Sequence, residues 1–210
     1  MFNFQIPESG TKRVKSFGSE EKFSLFAIRE SRIKNIIMKQ HSGMRPQDIV
    51  VLHKIVSFED KPWFMKDIAI GLNMSASEVS ESLNRSSIAG LLDHNKKKVF
   101  GKAFLEFLVH GLKYVYPQQP GALVRGVPTA HSAPPLNKII QSQDKYVWPH
   151  AEGTVRGQSI EPLYAPAVEQ SLKDSQLYEL LTLTDALRIG KAREVELAKK
   201  ELTRRILHGK

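Results

Sequence analysis

Between residues 75 and 85, a run of short polar side chains has the residue types and spacing of a hydrogen-bonding surface. Serine hydroxyls, an asparagine amide and an arginine guanidinium can hydrogen-bond to phosphate oxygens and to the edges of nucleic-acid bases. Asparagine suits adenine, and arginine suits guanine. If Val79 and Leu83, one turn apart, anchor a helix, the polar residues lie on its outer face. The candidate residues are Ser75, Ala76, Ser77, Ser80, Glu81, Asn84 and Arg85.

A second candidate feature is the lysine triplet Lys96, Lys97 and Lys98. The preceding Asp93-His94-Asn95 has the residue types of a tight turn, which would place the lysines on a loop. Three lysines on three phosphates would contribute about −2.7 to the salt dependence of binding to B-DNA. Lysine triplets are also common in solvated loops, so this interpretation depends on the neighbouring helices.

The sequence from residue 63 to residue 89 predicts two short helices, at about 63–72 and 76–89, joined by a tight turn. Ala69 is the small residue needed where such helices touch, and Asn73 tolerates a left-handed backbone. Met74 is expected to fill the corner. Ser75 and Glu78 have the spacing of a capping box, in which each side chain binds the other residue's backbone amide.

The flanking sequence completes a recognisable order of elements. A helix is predicted from Pro46, because proline suits the first turn. Two short strands are predicted on either side of the 93–98 loop, followed by an amphipathic helix at 102–116. In that last helix, the apolar residues expected on one face are Phe104, Leu105, Leu108, Leu112 and Val115.

The pattern from Lys66 to Leu92, with Ala89-Gly90-Leu91-Leu92 before the loop, resembles the helix-turn-helix of bacterial winged-helix regulators, including MarR-like ones. The resemblance covers about residues 46–116. It implies a winged-helix fold, sequence-specific binding of double-stranded DNA and a homodimer. Two positions depart from the family: Asn73 stands where glycine is more frequent, and Glu81 stands where many relatives carry a basic residue.

The rest of the chain has a different character, and four regions are predicted. Residues 1–43 are an N-terminal arm or a leader, and residues 44–116 are the winged-helix domain. Residues 117–165 are a Pro/Gly-rich extended segment, in which Val-Arg-Gly occurs at both 124–126 and 155–157. Residues 166–210 are a helical hairpin in which Asp174 is an N-cap. The predicted fold class is mainly α with a small β wing.

Composition narrows the classes of function. The 31 lysines and arginines exceed the 22 acidic residues, giving a net charge of +9, which favours polyanionic partners. Cysteine is absent, which excludes thiolate chemistry and fits a cytoplasmic location. The sequence has neither an 18-residue apolar run nor a phosphate-binding loop, and its seven histidines are scattered. We therefore expect no enzyme activity, no cofactor, no metal and no membrane partner.

Two functions remain open at this point. The first is a transcriptional regulator that places 76–85 in the major groove and the lysine loop on phosphates. The second is an antitoxin-like or other interaction protein, which binds a neighbouring protein through residues 117–210 and also represses its own promoter. Size, basic charge and the long C-terminal region motivate the second hypothesis.

Overall fold

Residues 43–208 are described by the structure, a computed structural model, so the predicted arm or leader at 1–43 lies outside it except for Gly43. The chain is mainly helical with a small sheet. The strands are β1 (Leu123–Pro128), β2 (Tyr146–Pro149) and β3 (Val155–Ser159). The helices are α1 (Pro46–Ser57), α2 (Met65–Leu72), α3 (Ala76–Ile88), α4 (Gly101–Glu106), α5 (Leu112–Val115), α6 (Pro166–Ser171), α7 (Ser175–Ile189) and α8 (Ala192–His208).

Helix α1 lies at the centre of the fold, since every residue from Asp48 to Ile55 is buried. Its N-terminus has proline in the first turn, and the Asp48 carboxylate accepts a hydrogen bond from the Arg45 amide at 2.8 Å. Helices α2, α3 and α7 pack around it. A helix enclosed on all sides needs partners for each of its polar side chains, which for α1 include Asp48, His53 and Lys54.

The α2–α3 pair has the turn that the sequence predicts. Asn73 adopts a left-handed backbone with φ of 51°, and Met74 is buried behind it. The Ser75 hydroxyl caps α3 by accepting a hydrogen bond from the Glu78 amide at 3.2 Å. The second half of the predicted capping box was wrong. The Glu78 carboxylate does not bind the Ser75 amide but accepts a hydrogen bond from Gln47 Nε2 of α1 at 3.2 Å.

The predicted helix at 102–116 is α4 and α5 joined by a π-helical turn at Phe107–Gly111. Phe104, Leu108 and Leu112 are buried, as expected. Val115 was expected on the same face but is 52% exposed. Val115 is the last residue of α5 and lies two residues before Pro117, so it stands where the helix ends and the chain leaves the core.

The segment at 117–165, expected to be irregular, contains the three-stranded sheet. Strand β1 pairs antiparallel with both β2 and β3, and β2 pairs parallel with β3, so the strands close on one another. The two Val-Arg-Gly tripeptides lie opposite each other, with Arg125 facing Arg156. A Cβ on Gly126 would lie 2.0 Å from the carbonyl oxygen of Trp148, so only glycine permits this closure.

A buried carboxylate connects the sheet to the helices. Asp185 of α7 accepts hydrogen bonds from Trp148 Nε1 at 2.6 Å and from Thr129 Oγ1 at 2.8 Å. It also forms an ion pair with Arg188, whose Nε donates to the carbonyl oxygen of Tyr116 at 3.1 Å. Residues of the predicted regions 44–116, 117–165 and 166–210 therefore share one hydrophobic core and one compact unit.

His53 is fully buried in α1 beside Phe104. The Thr184 hydroxyl donates to the carbonyl oxygen of Leu180 at 2.8 Å, so it accepts from His53 Nε2, 2.7 Å away. Burial lowers the pKa of His53 to about 3. The folded chain therefore keeps this imidazole neutral in the pH range where an exposed histidine takes up a proton.

Because of His53, the free energy of unfolding should decrease as the pH is lowered. The unfolded chain binds a proton at His53 below about pH 6.5, whereas the folded chain does not until about pH 3. Between pH 7 and pH 5, the free energy of unfolding should fall by about 2 kcal/mol more in the native protein than in His53→Leu. Urea denaturation measures both. The exposed His94→Gln variant should behave like the native protein, and equal falls in all three would contradict the assignment.

Candidate nucleic-acid interface

The outer face of α3 exposes most of the residues predicted to bind nucleic acid. Ser75, Ala76, Ser77, Glu81 and Asn84 are exposed, and Ser80 is half-buried. Except for Glu81, their side chains are short, so a large partner can approach the helix backbone closely. The Ser75 hydroxyl oxygen is partly used as the cap of α3, although its own proton remains available as a donor.

Arg85 is a correction, because it does not point outward. Only 7% of its surface is exposed, and its guanidinium binds the fully buried Asp48 through both carboxylate oxygens. The Nε–Oδ2 distance is 2.8 Å and the Nη2–Oδ1 distance is 2.6 Å. These hydrogen bonds raise the pKa of Arg85 above its ordinary value. The residue positions α3 against α1 instead of reading a base.

A sequence signal for this pairing exists in hindsight. The inward face of α3 includes Val79, Ser82 and Ser86, and Arg85 follows Ser82 by three residues. Asp48 occupies the first turn of a helix and is followed directly by the apolar run Ile49-Val50-Val51-Leu52. A buried carboxylate in such a helix requires a cation, and Arg85 is the one that α3 supplies.

The lysine loop is organised by Asp93. Where two short strands were predicted, the loop is closed by one isolated antiparallel β-bridge between Leu92 and Val99. Asp93 Oδ1 accepts hydrogen bonds from the amides of Lys97 at 2.6 Å and Lys98 at 2.8 Å. Backbone hydrogen bonding, first from Lys98, holds the pKa of Asp93 below its usual value. Lys96 takes the left-handed position of this turn, with φ of 57°.

The three lysines have different surroundings. Lys96 Nζ donates a hydrogen bond to Asn84 Oδ1, which brings the loop and the outer face of α3 together. Lys97 Nζ lies 4.5 Å from the centroid of the Trp63 ring and donates to the Trp63 carbonyl oxygen at 3.3 Å. Lys98 is exposed. The lysines thus form a cationic edge next to the polar face of α3.

Sequence reasoning did not identify Trp63 and Phe64 as part of this surface. Phe64 is 62% exposed, and the ammonium of Lys66 lies 5.6 Å from its ring centroid. The signal available in the sequence was the pair of aromatic residues directly before α2, in a position where a solvated loop would normally be polar.

Glu81 introduces a negative charge into this surface. Its side chain is 63% exposed, and a carboxylate oxygen lies 3.6 Å from Arg85 Nη1. A carboxylate on this face repels phosphate and can accept only from a donor such as the amino group of cytosine. Within residues 43–208, no group of three or more histidine or acidic side chains is placed to hold a metal ion.

Comparison with known proteins adds no assignment. No protein-family model, no curated protein and no solved structure matches this chain. Within the described part of the chain, every helix is too short or too polar to cross a lipid bilayer.

Removing Arg85 should strongly destabilise the folded protein. Arg85→Ala leaves the Asp48 carboxylate buried without a cation and should cost about 3–5 kcal/mol of unfolding free energy. Urea denaturation measures this cost. The matched control is Asn84→Ala, one residue away but exposed, which should change stability by about 0.5 kcal/mol or less. Equal stability of the two variants would show that the ion pair does not position α3.

Proposed function

We propose that this chain is a sequence-specific transcriptional regulator that binds double-stranded DNA with a winged-helix region. Helix α3 enters the major groove, and the loop that carries Lys96, Lys97 and Lys98 lies along the phosphate backbone as a wing. The observation that carries this proposal is the contact between Lys96 and Asn84. It makes the polar helix face and the cationic loop one continuous surface.

The charges and shape of that surface support DNA as the partner. Duplex DNA needs cations for its phosphates and short hydrogen-bonding side chains for its base edges. The lysine loop supplies the cations, and Ser77, Ser80 and Asn84 supply the hydrogen-bonding side chains. The net charge of +9 over the whole chain also favours a polyanionic partner such as DNA. Arg85 is not part of the proposed interface.

The alternative, an antitoxin-like protein that captures a neighbour through residues 117–210, has less support. Large parts of this region pack into the core of the same chain, since α7 buries nine side chains and Trp148 is 2% exposed. It is therefore not a free appendage. Isolation of a stoichiometric second protein with the chain from its natural host would restore this alternative.

A homodimer is part of the proposal. Helix α7 faces the core, so it is a poor choice for the contact between copies. Helix α5 exposes Tyr114 by 73% and Val115 by 52%, and a second copy would cover these apolar surfaces. Sedimentation equilibrium should show a dimer that Val115→Glu converts to a monomer. A native monomer would remove the dimer from the proposal.

DNA binding should depend on Lys98 and Asn84 in different ways. Duplexes selected from a random library are compared with scrambled duplexes by fluorescence anisotropy, at about 50 and 200 mM salt. Lys98→Ala should weaken both duplexes alike and reduce the salt slope by about 1, because it removes a phosphate contact. Asn84→Ala should cost about 1–3 kcal/mol on the selected duplex alone.

The control is Lys191→Ala. Lys191 is exposed and lies before α8, about 24 Å along the helix from its C-terminal residues, which border the groove beside Lys98. This variant removes the same charge and should leave the salt slope unchanged. Failure of the native protein to enrich any duplex would overturn the proposed function.

A further inference from the structure

The hydrogen bond between Lys96 and Asn84 determines which way the Asn84 amide points. A lysine ammonium has three donors and no acceptor, so its partner must be the amide oxygen and not the nitrogen. One of the two lone pairs of the Asn84 oxygen is therefore used by a cation, which weakens this oxygen as an acceptor for a base. The Nδ2 group, with two N–H donors, remains available on the exposed side of α3.

The loop places Lys96 for this contact. Lys96 is half-buried, whereas Lys97 and Lys98 are exposed. Its left-handed backbone is uncommon for lysine, and its amide donates to the Asp93 carbonyl oxygen at 2.9 Å. The turn therefore directs this one lysine toward α3, while its neighbours point elsewhere.

Together the two side chains present several N–H donors beside one oxygen that already accepts from a cation. Adenine offers one acceptor, N7, beside one donor, N6, so it matches an asparagine whose oxygen is free. Guanine offers two neighbouring acceptors, N7 and O6. A pair that presents the Asn84 N–H groups and the remaining Lys96 N–H groups complements guanine and places a donor against the amino group of adenine. Cytosine presents a donor, and thymine presents a single acceptor.

We propose that Asn84 and Lys96 act as one unit that reads guanine in the major groove. This inference rests on the proposed function, and it reverses the expectation that an isolated Asn84 selects adenine. Lys96 then serves for specificity, whereas Lys97 and Lys98 serve for affinity. The guanidinium of Arg85 does not compete for the same base, because both of its inward contacts are to Asp48.

The test is selection of binding sites from a random duplex library, followed by sequencing. Asn84→Ala first identifies the base position that depends on this residue, because its preference disappears there. At that position the native protein should prefer guanine over adenine by about tenfold or more, the size of one good pairing. Lys96→Ala frees the Asn84 oxygen and should change the preference to adenine.

Two further variants separate specificity from charge and folding. Lys98→Ala removes the same charge from the same loop and should keep the guanine preference with weaker binding overall. Lys96→Gly fits the left-handed backbone and should behave like Lys96→Ala, which guards against a misfolded loop.

Each result is decisive. A guanine preference that changes to adenine in both Lys96 variants supports the unit. A native preference for adenine at that position, or a guanine preference that survives loss of Lys96, overturns it while leaving the DNA-binding function intact. Enrichment of no sequence by the native protein overturns the proposed function itself, and this inference with it.

Discussion

The enclosure of α1 is the constraint on which the rest of this structure depends. A helix buried from Asp48 to Ile55 cannot leave its polar side chains without partners, and these partners come from α3 and α7. Asp48 binds Arg85 of α3, and His53 contacts Thr184 of α7. Lys54 forms an ion pair of 2.7 Å with Asp174, the N-cap of α7. Three polar contacts thus set where α3 and α7 lie.

The ion pair between Asp48 and Arg85 has a directional effect that apolar packing lacks. Burying two charges costs desolvation free energy that their attraction only partly offsets, so the pair is a weak source of net stability. Its bidentate geometry, however, permits one rotation of α3 about its axis. That rotation turns Ser77, Glu81 and Asn84 outward. The composition of the candidate surface is therefore a consequence of what the core requires.

Local features were predictable from the sequence, and arrangements that depend on distant residues were not. Asn73 and Ser75 act within a few residues of the chain, and their left-handed turn and helix cap are as expected. Arg85 was assigned by its chemistry as a base reader, since nothing within its own helix reveals Asp48, 37 residues away. The sheet was missed because its strands have four to six residues and contain glycine and proline. Its pairing depends on close backbone approach at Gly126, which leaves no periodic pattern.

In the proposed surface, a lysine that contacts only solvent and a lysine that contacts α3 would have different roles. A lysine held only by solvent adds affinity without preference, because phosphates are the same at every base pair. Lys96 differs because its ammonium is joined to a side chain on the helix that would face the bases. The tight turn at Asp93 makes that connection short and fixes its geometry. A turn that looks like a scaffold for charge therefore also controls which hydrogen-bonding atoms of α3 remain available to a partner.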